Sequence, residues 1–119
     1  MGKSILRDKS YLFAIRVVQL SQLLANEKKE FVLSKQVLRS GTAIGSLIHE
    51  AEFGQSKPDF ISKMNIALKE ANETGYWLSL LKDTNLIDEI LFDSLQADCK
   101  ELIAMLVATI KTSKLKVKN

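Results

Sequence analysis

Val37-Leu-Arg-Ser-Gly-Thr-Ala-Ile-Gly-Ser-Leu-Ile-His-Glu-Ala-Glu-Phe-Gly-Gln-Ser-Lys-Pro-Asp59 contains one helix, its end and the start of the next. Val37, Gly41, Ile44, Ile48 and Ala51 recur in steps of 4, 3, 4 and 3, the seam of a helix that buries one stripe. Gly54-Gln55 interrupts it. Ser56-Lys-Pro-Asp then reads as a helix start, with Ser56 as N-cap, proline in the first turn and Asp59 completing a capping box. Two helices joined by so few residues can only turn back on each other.

The same spacing extends in both directions. Phe13, Val17, Leu20 and Leu24 predict a helix over about 10–25. Asn26 to Glu30 is a polar link, and Ser34 is the expected N-cap of the helix over about 34–53. Ile61, Met64, Leu68, Ala71, Gly75 and Leu78 predict a third helix over about 57–82. Asp83-Thr-Asn breaks that pattern. Phe92, Leu95, Cys99, Leu102, Leu106 and Thr109 predict a fourth over about 88–111, with a basic tail over 112–119. The expected fold is a single all-α domain over residues 1–119, an antiparallel up-down-up-down four-helix bundle. Composition agrees: 46% hydrophobic and 26% charged residues, five glycines and a single proline, Pro58, suit helices and one core.

The net charge of +3 is unevenly spread. Lys3, Arg7 and Lys9 against Asp8 give the first nine residues +2, and Lys111, Lys114, Lys116 and Lys118 give the last nine +4. The body between them carries −3. Basic character therefore lies at the chain ends, the candidate nucleic-acid-binding residues being these seven. A solvated tail is the other reading of the C-terminal lysines. One cysteine, Cys99, excludes an intrachain disulfide and fits a reducing compartment. The first apolar stretch, Leu12 to Leu24, is interrupted by Arg16, Gln19 and Gln22, which argues against a membrane span or signal core and for the cytoplasm.

Catalytic apparatus is not visible. A di-iron bundle needs Glu-x-x-His on two helices, whereas His49 is the sole histidine and Glu50, Glu52, Glu70 and Glu73 read as helix-pairing carboxylates. Cys99 lies on a core seam, where a thiol acts as a small hydrophobe. Gly41-x-x-x-Gly45 matches no phosphate-binding pattern. The expectation is a protein that is not an enzyme and holds no metal or cofactor.

Three features exceed a plain bundle. Gly41 and Gly45 each cost roughly 1 kcal/mol in a helix interior, which calls for compensation by close approach of another helix or of a ligand. Tyr11, Ile15, Trp77, Ile103 and Ile110 lie off the main seams and widen the apolar stripes. Self-association and a generously packed monomer both account for that surplus. Arg39 and Glu50 border the core seam of their helix and are candidates to bridge to a neighbouring helix or subunit.

Arg39-Ser-Gly-Thr-Ala-Ile-Gly-Ser-Leu-Ile-His-Glu-Ala51 and Lys57-Pro-Asp-Phe-Ile-Ser-Lys-Met-Asn-Ile-Ala-Leu-Lys-Glu-Ala-Asn-Glu-Thr-Gly-Tyr-Trp-Leu78 together resemble the four-helix-bundle proteins encoded in intervening sequences of bacterial 23S rRNA genes. His49 stands where that family more often has alanine, and Asn72 where it has a small residue. The resemblance implies a homopentameric ring. It also implies kinship with the accessory variability determinant of diversity-generating retroelements, which binds nucleic acid and associates with a reverse transcriptase. The expected function is a homo-oligomeric accessory protein for RNA, DNA or a ribonucleoprotein. A scaffold for another polypeptide is the alternative.

Overall fold

The computed structural model describes residues 4–54 and 56–118, with the side chains of residues 117 and 118 outside the description. Four helices follow one another: α1 (Ile5–Glu27), α2 (Leu33–Glu52), α3 (Lys57–Asp83) and α4 (Glu89–Lys118). Each packs on the next, and α4 returns to lie against α1, while the backbones of the diagonal pairs stay apart. Short links place neighbours antiparallel, so the all-α up-down-up-down bundle expected from the seams is the observed fold. Its long axis measures 51 Å, set by the 30 residues of α4 at about 1.5 Å each. None of the helices is long and apolar enough to cross a membrane among the described residues.

The seams meet as expected. Phe13, Val17, Leu20 and Leu24 of α1 face Val37, Ile44 and Ile48 of α2, and Met64, Ala71 and Leu78 of α3 close the core with Leu95, Cys99, Leu102 and Leu106 of α4. At three positions the seams run one residue off the expected one. Ala67 and Thr74 are buried where Leu68 and Gly75 were expected, and Ile110 is buried where Thr109 was. In α3 the buried face keeps strict steps of 3 and 4 but in the other phase, through Met64, Ala67, Ala71, Thr74, Leu78 and Leu81. In α4 the steps of 3 and 4 drift against 3.6 residues per turn, and the face moves from Thr109 to Ile110.

Helix ends differ too. α1 starts at Ile5, five residues before the expected start, because Ser4 Oγ accepts the Arg7 N–H at 3.1 Å. Ser34 is not the cap of α2; it lies buried in the first turn, and its N–H is received by the Glu30 carboxylate at 2.9 Å. Ser56 does cap α3, accepting from the Asp59 N–H at 3.2 Å, but the Asp59 carboxylate turns to Lys63 at 3.0 Å and leaves the box half made. Asp88 accepts the Leu91 N–H at 2.8 Å and opens α4. The expected tail is helix: α4 continues through Lys118, with Ser113 extending its buried seam.

Gly41 and Gly45 are explained by the α1–α2 contact. A Cβ on Gly41 would stand 2.7 Å from both methyls of the buried Val17. One on Gly45 would stand 3.3 Å from the Ser10 carbonyl oxygen. Close approach of helix α1 therefore offsets the cost of both glycines.

Candidate functional site

The antiparallel topology brings the start of α1, the end of α2, the start of α3 and the end of α4 to one end of the bundle. Of the seven terminal bases, Lys3 and the side chain of Lys118 lie outside the described residues. Arg7 is engaged: Glu52 stands 3.4 Å away and the Phe53 ring 5.8 Å beneath its guanidinium. Glu52 also receives the Ser4 hydroxyl. Lys9 is paired with Glu101 at 3.1 Å. Lys111, Lys114 and Lys116 are exposed and have no acidic partner among the described residues. Lys57 joins them from the α2–α3 turn, its ammonium 5.8 Å from the Phe60 ring. Sequence reading missed Lys57, although the up-down-up-down order already placed that turn beside both chain ends.

The candidate interface residues separate into three groups. Ile110 is buried in its own chain's core, 6% exposed, and offers nothing to a partner; this corrects its reading as surplus surface. Trp77 and Ile103 are half-buried against the core, and Trp77 Nε1 donates to Glu73 at 3.1 Å. Tyr11 and Ile15 are exposed, joined on α1 by Leu12 and Val18.

Arg39 bridges helices within the chain. Its guanidinium reaches Glu70 at 3.2 Å and Glu73, both on α3, so Glu73 serves Arg39 and Trp77. Beneath this clamp the hydroxyls of Ser40 and Thr74 share a buried hydrogen bond of 2.9 Å. Glu50 makes no such bridge. It lines an open groove of about 860 Å³ between α1 and α2, with Asp8, Tyr11, Leu12, Ala14, Gly45 and Ser46. The missed members are Leu12, one residue off the Tyr11–Ile15 stripe, and Ser46, polar and so silent in a hydrophobic reading.

Cys99 is fully buried and its Sγ donates to the Ala71 carbonyl at 3.2 Å. Burial pushes the thiol up to about 11, against an opposing backbone hydrogen bond at Gly75 and with a smaller push from Asp98. That favours an inert thiol over a nucleophile. Among the described residues no group of His, Cys, Asp and Glu side chains is placed to hold a metal ion.

The family model described as 23S rRNA-intervening sequence protein matches residues 3–108. The chain belongs to that family. A crystal structure of a protein of unknown function from the S23 ribosomal protein family of Bacteroides thetaiotaomicron is similar at 54% identity, with a TM-score of 0.89. The alignment covers 90% of this chain and 99% of that one. No curated protein matches. The 23S rRNA-intervening sequence match ends at residue 108, so the last turns of α4, with Lys111, Lys114 and Lys116, lie beyond it.

Proposed function

We propose that this chain is a non-enzymatic, cytoplasmic accessory protein that assembles as a homo-oligomer, a pentamer by family resemblance, and binds RNA or DNA. The observation that carries the reading is the set of exposed lysines, Lys57, Lys111, Lys114 and Lys116, gathered at one end of the bundle without acidic partners among the described residues. Phosphates held by such a set release counterions, a binding mode that salt weakens and base identity barely touches. Phe53 is exposed at that end, but its ring lies against the Arg7 guanidinium and the His49 ring, so it offers no row of free rings on which successive bases could stack.

Fluorescence anisotropy with labelled RNA and DNA over a salt series tests it. Binding at low salt, falling as salt rises and lost on truncation after Ile110, is the expected result. Undetectable binding at low salt, or affinity unchanged by the truncation, overturns it. Light scattering tests the assembly, and a clean monomer at micromolar concentration would sink that part.

The α1–α2 groove favours a second reading, a scaffold that docks another polypeptide, for which a reverse transcriptase of the related retroelements is one partner. Protein capture that persists in high salt and is abolished by Tyr11→Glu would favour it over the nucleic-acid reading.

A further inference from the structure

The groove between α1 and α2 has an acid on each wall, Asp8 on α1 and Glu50 on α2. Neither belongs to an ion pair among the described residues. Arg7 also lines the groove, but Glu52 and the Phe53 ring already hold it. Between the acids the lining is mostly apolar, with Tyr11 68% and Leu12 61% exposed, and α2 adds Thr42, Ser46 and His49, the last beside the Phe53 ring. An occupant that fits is a helix with an apolar face and basic residues along it.

The second half of α4 has that chemistry. After Glu101 the chain contains no acidic residue. Ala104, Ala108, Lys111 and Leu115 recur at 4, 3 and 4 on one exposed stripe, with Val107 and Lys114 beside it. The alanines keep that face thin, so the helix can approach a groove closely. The stripe cannot reach the groove of its own chain. α4 is one continuous helix that packs on α1 and α3, its backbone diagonal to α2, and the Ala104–Leu115 stripe is exposed on the side away from the core. A contact between the two surfaces is therefore one between copies.

We propose that the α1–α2 groove of one copy receives the Ala104–Leu115 stripe of α4 from a second copy, with Lys111 and Lys114 set against Glu50 and Asp8. The contact joins two different surfaces, so it is heterologous and each copy can both give and receive. It rests on the homo-oligomeric part of the reading above; in copies that make this contact Lys111 and Lys114 are engaged by carboxylates, which leaves Lys57 and Lys116 for phosphates.

Cross-linking between full-length variants tests it, with light scattering run on the same samples. Ser46→Cys and Leu115→Cys, both at exposed positions, are mixed under mild oxidation and run on a non-reducing gel; native Cys99 is buried and stays out of the reaction. A two-chain band on mixing, absent from either variant alone and from Leu115→Cys mixed with Gln22→Cys, is the expected result. Adding Glu50→Lys to the groove variant should lower the yield roughly fivefold, and Lys111→Glu on the other variant should restore it. No band, or an equal band with Gln22→Cys, overturns the proposal. If light scattering still reports an oligomer in that case, only this contact fails; a monomer without the band removes the oligomer reading as well.

Discussion

Residue by residue, the tightest constraint is the meeting of Gly41 with Val17. Alanine at 41 would gain helix propensity of about 1 kcal/mol. Against that, its Cβ would press on two methyls of a stiff β-branched side chain with nowhere to move. The clash should win, and Gly41→Ala is expected to destabilise the fold by roughly 1–3 kcal/mol in urea unfolding. Adding Val17→Ala would relieve the contact, so the double variant should lose less than the sum of the two singles. Cys99 gives a second test. Its thiol titrates at about 11 in the fold against 9.0 for a free one. The folded state thus keeps a proton that the unfolded chain gives up first, and stability is full below pH 9 and declines as pH rises toward 11. Cys99→Ala should remove that part of the slope, amounting to about 2–3 kcal/mol, while the lysine contribution stays common to both proteins. Sequence placed Cys99 in the core by its seam, but could not see Gly41 as the socket of Val17, because the partner lies on another helix.

Among the elements, the α2–α3 pair shows how polar groups can sit inside an apolar seam. Ser40 and Thr74 are both fully buried and satisfy each other, with Thr74 Oγ1 also donating to the Glu70 carbonyl at 2.8 Å. Thr74→Val keeps the shape and strands the Ser40 hydroxyl, at an expected cost of about 1–3 kcal/mol in thermal or urea unfolding. Ser40→Ala combined with Thr74→Val removes both partners and should recover much of that loss. The Arg39 clamp above them is half-exposed, so Arg39→Ala should cost no more than about 1 kcal/mol. The helices themselves were legible wherever large apolar residues carried the period. They were not legible where Ser10, Ser40, Thr74 and Ser113 hold core positions, since a hydrophobic reading skips them. That is why α1 was expected to start too late and α4 to stop too early.

Across the whole molecule, the fold was readable because four seams and three short links leave one arrangement of neighbours. The candidate sites were readable only in part. Local sequence showed the lysines of the C-terminus, but the joining of Lys57 to them depends on which ends the topology brings together. It also could not show that Arg7 and Lys9 are spoken for, since Glu52 and Glu101 are distant in the chain. Nucleic-acid affinity should therefore follow the α4 lysines. Arg7→Ala should change binding little, whereas the slope of log affinity against log salt should approach about −3 for four lysines on a single strand.

The continuity of α4 through Lys118 has one more consequence. Lysines on a loose tail must be immobilised when they grip a ligand, at about 1–2 kcal/mol of backbone entropy per residue. Here the helix has already met that cost during folding, so its lysines are presented at fixed spacing and the ligand must conform to them.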